Sequence, residues 1–382
     1  MRKSQIAIFF STFFFLYVLI NFYIYLRGYE GLELHTEYRF AYIISFLFVS
    51  LSYFGGRFFE KRNAWLLGDI FIWVGSFWFA FILYFLLSLV VIDLVQLVNV
   101  FGHFLPDGFA FLHLKFYLMI SLIGLVGLIC TAGFINARMI RVKKLEFTLN
   151  KENLLAKELT IAVASDIHLG TIIGRKWTKR IVDKINSLKP DIILLPGDIV
   201  DGDVEPVIKL NLGEVLRQLK SKYGVFAITG NHEYIGGVEA AVKYIQEHGI
   251  RVLRDEQIEV AGIMIIGRED RSSKGFAGKE RKSIEELSGV GDNSKPIILM
   301  DHQPFKLEEA VGIGADLQLS GHTHNGQLWP LNYITKKVYE LSWGYMKKEN
   351  THIYVSCGVG TWGPPMRLGS APEIIEIRLK FT

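Results

Sequence analysis

The chain predicts an α-helical multi-pass membrane region followed by a layered α/β domain. Three observations carry that expectation. Hydrophobic residues make up 50% of the 382 residues and charged ones only 21%, with a mean hydropathy of +0.28, too apolar for an ordinary cytosolic domain of this length. The apolar weight sits in four long runs before about residue 145, and beyond that point short β-branched runs alternate with amphipathic segments. The charge divides at the same place: residues 1–145 hold 12 Lys/Arg against 7 Asp/Glu, whereas residues 146–382 hold 30 against 31. A nearly neutral second half lacks the cationic face that a nucleic-acid partner requires, so none is expected. Cys130 and Cys357 alone cannot build a disulfide scaffold, and a chain this hydrophobic is not disordered.

The four runs are residues 6–26, 40–54, 64–92 and 114–135, each apolar all round rather than on one face. A bilayer core about 30 Å thick takes roughly 20 helical residues. The second run reaches that length only with Tyr38, Arg39 and the Gly55-Gly56 end counted in. The first is too long for the apolar core of a cleavable signal and no small-residue cleavage site follows it, so it reads as a span. Arg2, Lys3, Arg57, Lys61, Arg62, Arg138, Arg141, Lys143 and Lys144 fall on one side of these spans, and Arg27, Arg39 and Lys115 on the other. That asymmetry places both termini and the α/β half in the cytoplasm, at a bacterial-type inner membrane. Residues 93–113 are the open stretch, because an interfacial or re-entrant helix there would invert the orientation. Asp69 and Asp93 raise a transport hypothesis, but both lie near the ends of the third run and no span offers a basic partner. His35, His103 and His113 flank the spans, as a metal or haem site or simply as interfacial histidines.

In the second half, residues 159–164 read as a buried strand, 176–188 as an amphipathic helix and 191–195 as a strand. A helix over 207–220 leads to a strand over 225–229, and a helix over 238–248 to a strand over 251–253. Residues 258–266 form a hairpin broken at Ala261-Gly262. Residues 297–300, 317–319, 353–356 and 374–379 bring the count to about ten strands, apolar enough to need cover on both faces. The basic stretch 138–144 is the expected boundary, giving a membrane region over 1–137 and a domain over 138–382.

Metal-ligating residue types fall just after these strands. Asp166 and His168 follow the first (ASDIHLG), Asp198 the second (LLPGD), and Asn231, His232 and Glu233 the third (ITGNHE). His302 follows a later strand (LMDHQ), and His322 and His324 another (LSGHTH). The carboxyl edge of an α/β sheet is where residues distant in sequence converge. Two carboxylates, one amide oxygen and four imidazoles suit two divalent ions of the Mn, Fe, Zn or Co type, since imidazole prefers borderline metals. Such a pair polarises a phosphate and activates water. Gly197, Gly230 and Gly321 each precede a ligand at a tight strand exit.

The order DIH, GD, GNHE, His302, GHTH across about 160 residues resembles the calcineurin-like metallophosphoesterase superfamily. GHTHNGQ and the closing SCGVGTWGPPMRLGSAPEI resemble its YkuE/YaeI-like branch, which includes membrane proteins with a cytoplasmic phosphoesterase domain. The resemblance covers the chain from about residue 145 onward. It implies a four-layer sandwich of two mixed β-sheets flanked by helices. It also implies a first metal on Asp166, His168, Asp198 and His324, with Asp198 bridging to a second on Asn231, His302 and His322. His232 would be the proton donor to the leaving oxygen or a stabiliser of developing charge. Asn325 stands where the branch often has Gly, and its tolerance of positive φ keeps the turn.

Two further features stay open at this point. Arg367 in PPMRLG is a candidate phosphate contact, with a structural ion pair as the alternative. Trp329, Tyr333, Lys336, Lys337, Trp343, Tyr345, Lys347 and Lys348 interleave aromatics with bases, as a loop at headgroup level does, or an ordinary packed hairpin. The reading is a membrane-anchored binuclear metallophosphoesterase acting on a phosphodiester or pyrophosphate, with the lipid bilayer as partner. Its substrate is a phosphate ester, with a lipid-linked one (UDP-diacylglucosamine-type or phospholipid) suggested by proximity. The rival readings are a non-catalytic metal-binding receptor or scaffold, and a transporter regulated by its soluble domain.

Overall fold

A computed structural model describes residues 3–62, 64–103, 115–151, 156–288 and 295–382. The chain divides into two compact units, residues 1–135 with 363–365, and residues 136–362 with 366–382.

The first unit consists of four helices: α1 (Lys3–Gly31), α2 (Thr36–Lys61), α3 (Trp65–Gly102) and α4 (Lys115–Asn136). All four are long and apolar enough to cross a membrane. Many of their Leu, Ile and Phe side chains are exposed, the pattern expected where the surroundings are lipid rather than water. α3 continues through Asp93 as far as Gly102, while His113 and the rest of 104–114 lie outside the described residues. The expectation that Asp93 has no basic partner is corrected. Arg27 Nη2 lies 2.5 Å from Asp93 Oδ1 and the Tyr23 hydroxyl donates to Asp93 Oδ2. The partner was missed because it stands 66 residues away on α1, close to the end of its helix.

The second unit is the four-layer sandwich. One six-stranded sheet runs in the order β1 (Arg141–Leu149), β12 (Glu373–Phe381), β2 (Glu158–Val163), β3 (Ile192–Pro196), β4 (Val225–Ile228), β5 (Arg251–Val252). The other runs β10 (Gly344–Lys348), β11 (Thr351–Val355), β9 (Leu317–Ser320), β8 (Ile297–Met300), β7 (Ile263–Gly267), β6 (Glu256–Val260). Both are mixed: β12 pairs antiparallel with β2, β10 with β11 and β6 with β7, and the remaining pairings are parallel.

Strand alternation builds the layers. Ile161 and Val163 join Ile263, Ile265, Ile298 and Tyr354 in a core between the sheets. Ala162, Ile193 and Ala227 face the other way, under α5 (Arg175–Ser187), α6 (Glu205–Lys209), α7 (Gly213–Leu216), α8 (Asn231–Gly236) and α9 (Val238–Glu247). Ile266, Ile297 and Leu299 pack on the far side with Ile284 and Leu287 of α11 (Ile284–Ser288) and Ala310 of α12 (Glu308–Gly312), and α10 (Ser273–Phe276) precedes these helices in the chain. The single helix expected over 207–220 is two short ones, because Asn211 at φ 49° breaks the turn between them. β1 and β10 are strands the sequence pattern did not reveal. The segment expected to be only a basic boundary contains β1, paired parallel with β12 along its whole length.

Candidate metal centre

Five strand exits, three from one sheet and two from the other, deliver the ligating side chains. Asp166 and His168 follow β2, Asp198 follows β3, Asn231 opens α8 after β4, His302 follows β8, and His322 and His324 follow β9. Backbone hydrogen bonds tie the exits together: Asp166 N–H donates to Gly197 O, His168 N–H to Asp198 O, and Gly321 N–H to His302 O. The His322 N–H donates to Asp166 Oδ1 at 2.8 Å, joining the two sheets across the centre. Asp166, His168, Asp198, His322 and His324 all adopt positive φ, between 49° and 73°. A non-glycine residue there costs of order 1–3 kcal/mol, so the rest of the fold holds these positions against local preference. The glycines serve close approach: a Cβ on Gly321 would lie 2.3 Å from Asp166 Oδ2, and one on Gly230 2.1 Å from Asp198 Oδ1.

The side chains gather in overlapping groups. Donor atoms of Asp166, His168 and His324 lie within 4.8 Å of one another, as do those of Asp198, His302 and His322, and between them those of His168, Asp198 and His232. His168 Nε2 is 3.0 Å from His324 Nε2, which is 3.4 Å from Asp166 Oδ1. Asp198 Oδ2 lies 3.1 Å from His302 Nε2 and 3.9 Å from His168 Nε2, so it stands between the groups. Asn231 Oδ1 is 2.7 Å from His322 Nδ1.

Several of the charge states suit cation binding; His302 differs, because burial would lower its imidazole but Asp198 outweighs that effect and raises it well above the ordinary value. Burial alone would raise the Asp198 carboxyl, but His302 and His232 beside it hold it well below its ordinary value. Burial and then the neighbouring His302 push His322 down to about 4, and burial and then the Arg367 guanidinium push His324 down as well. Both imidazoles therefore offer lone pairs. His302 Nδ1 donates to Pro196 O at 2.7 Å, which leaves Nε2 as its ligating atom. Asp166 Oδ2 is buried without a hydrogen-bond partner among the described residues. Converging donor atoms of this kind fit a cation at each group.

His232 stands beside the first group, its ring 4.5 Å from that of His168. Its Nδ1 is 3.1 Å from Asp201 Oδ1, and the same oxygen is 3.3 Å from His168 Nδ1. Asp201 was missed from the sequence, although the run GDIVD sets it three residues beyond Asp198. His168 and His232 hold its carboxyl well below the usual range against the opposing effect of burial. Glu233, noticed in the sequence but given no task there, accepts the backbone N–H groups of Asp198, Val200 and Gly230 and so clamps the β3 exit. Asn325 takes φ 48°, in keeping with the turn expected of it.

The expectation that Arg367 contacts a substrate phosphate is corrected. Its side chain is fully buried, and its guanidinium is taken up by Gly360 O, Ser370 Oγ and His324 Nδ1. It braces His324 from behind. No candidate metal group among the described residues includes His35 or His103.

Residues 159–326 match the model of the calcineurin-like phosphoesterase family. A Helicobacter pylori protein described as an uncharacterized metallophosphoesterase is 34% identical over 276 residues, 70% of each chain. The chain belongs to this family. It is a metallophosphoesterase, a hydrolase of phosphoester bonds built around divalent-metal ligands. The Bacillus subtilis metallophosphoesterase YkuE is 30% identical over 57% of this chain and 78% of its own. A Danio rerio "transmembrane protein with metallophosphoesterase domain" is 34% identical over 58% of this chain and 53% of its own. This metallophosphoesterase likewise joins apolar helices to the catalytic fold, as a membrane protein.

Proposed function

We infer that the chain hydrolyses a phosphodiester or pyrophosphate bond with two cations of the Mn, Fe, Zn or Co type, one on Asp166, His168, Asp198 and His324, the other on Asp198, Asn231, His302 and His322. The observation that supports this reading is the position of Asp198 Oδ2 between two ligand groups. Bound there, the ions would polarise the phosphoryl oxygens and lower the pKa of the attacking water. The protein's own part is proton delivery. Asp201 anchors His232 Nδ1, which reserves Nε2 for the leaving oxygen. Burial opposes the protonated ring, but without metal Asp198 and then Asp201 outweigh it and raise His232 to about 9.

The substrate is a lipid-linked phosphate ester, of the UDP-diacylglucosamine or phospholipid kind, and the domain faces the cytoplasm at an inner membrane. The four apolar helices and the excess of Lys/Arg on one side of them support this. The test is purified full-length protein assayed with an aryl phosphodiester and with lipid-linked phosphodiesters and pyrophosphates. Hydrolysis abolished by chelation and restored by Mn²⁺ is expected. Turnover indifferent to chelation would overturn the metal reading, and turnover of soluble substrates alone the lipid-linked one.

A further inference from the structure

Shortly after the ligand His324 the chain forms α13 (Asn332–Val338), a helix with no buried residue. Tyr333 is 61% exposed, Ile334 59% and Val338 55%, and Trp329 just ahead of them is 50% exposed. Residues 333, 334, 337 and 338 share one helical face, so Lys337 projects among apolar side chains, with Lys336 alongside. Neither lysine has an ion pair among the described residues. Single exposed apolar residues are ordinary, but a contiguous group interleaved with unpaired lysines has the composition of a surface resting at lipid headgroups. Three other members of the aromatic and basic set are engaged elsewhere. Tyr345 packs on Phe147 and His352, Lys348 pairs with Glu340, and Trp343 donates to Glu373.

This helix is built onto the metal centre. Tyr339, which closes it, has its ring 6.0 Å from that of His322 and 4.7 Å from that of Phe305. Gln327, between His324 and α13, holds the Trp362 backbone by two hydrogen bonds, and the Trp362 ring lies 6.1 Å from His232. The same chain carries four apolar helices, and the last ends at Asn136, five residues before β1 begins at Arg141. A bilayer is thus the surface always within reach, and its anionic lipids complement the two lysines.

We propose that α13 and Trp329 dock the rim of the metal centre on an anionic bilayer surface, so that a phosphate ester carried by a lipid enters the site without leaving the membrane. The claim about the substrate rests on the phosphoesterase reading above; the docking itself does not. Cys130 and Cys357 are both buried, so Ile334→Cys in the full-length protein gives one reactive thiol for a fluorophore. Lys243→Cys, at an exposed position of α9, serves as the control position. In phosphatidylglycerol nanodiscs containing brominated lipid, quenching at position 334 exceeds that at 243. Adding Lys336→Gln or Lys337→Gln to the Ile334→Cys protein lowers the docked-to-undocked ratio about five-fold each, the equivalent of roughly 1 kcal/mol per basic residue at an anionic surface. Equal quenching at the two positions, or quenching at 334 indifferent to the lysines, overturns the proposal. Hydrolysis of a soluble aryl phosphodiester by the unlabelled protein, read in parallel, judges the phosphoesterase reading separately.

Discussion

Buried and half-buried polar groups are handled differently in the two units. Among the apolar helices they close on one another: Tyr23 and Arg27 satisfy Asp93, the Trp78 indole donates to Asn21, and the Tyr17 hydroxyl donates to Ser50 O. Ser76 Oγ is an exception among the described residues. At the metal centre the groups converge and close only in part: His168 and His324 bring Nε2 to 3.0 Å from Nε2, and Asp166 Oδ2 is left without a partner among the described residues. A closed pair costs little in a low-dielectric setting, whereas opposed lone pairs persist only where something charged is meant to sit between them.

Substitutions can break or sharpen that contrast. The largest effect is expected from Asp198→Asn, which removes the carboxylate shared by both groups. Steady-state kinetics should fall to background while near-ultraviolet circular dichroism and thermal midpoint stay close to those of the parent. His232→Ala should lower kcat by about 10²–10⁴-fold for a phosphodiester with a poor leaving group. The loss should be far smaller with p-nitrophenolate, which departs without a proton. Asp201→Asn loosens both His168 and His232 and should cost about 10–100-fold in activity or metal affinity.

The charge on His232 offers a pH test with a definite sign. Its pKa, raised to about 9, rests mainly on Asp198 and Asp201. Histidine NMR of the metal-free protein should show the ring protonated below that pH. Zn²⁺ neutralises Asp198, so the titration should move downward on loading; an upward move would contradict the assignment. The smallest effect belongs to the helices. A double-mutant cycle on Arg27→Leu and Asp93→Leu, followed by thermal unfolding in detergent, should give a coupling of about 0.6 kcal/mol, as for polar pairs in other membrane helices.

The sequence made most of the site legible because ligand residue types cluster at strand exits, and strand exits follow from β-branched runs. What it hid depended on partners distant along the chain. Arg367 resembled a phosphate contact until its burial against Gly360 and His324 was seen. Asp93 seemed unpaired because Arg27 lies on another helix. β1 escaped because Arg141, Lys143 and Lys144, exposed at a sheet edge, look like a linker, and its sheet neighbour, β12, lies more than 200 residues downstream. The break at Asn211 needed a positive φ that no hydrophobic period reveals.

The account turns on two cations sharing Asp198. Protein loaded with Mn²⁺ should bind two ions per chain and give an exchange-coupled electron paramagnetic resonance spectrum, and Asp198→Asn should reduce this to one uncoupled ion or none. A parent protein that binds a single isolated ion, or two that do not interact, would contradict it.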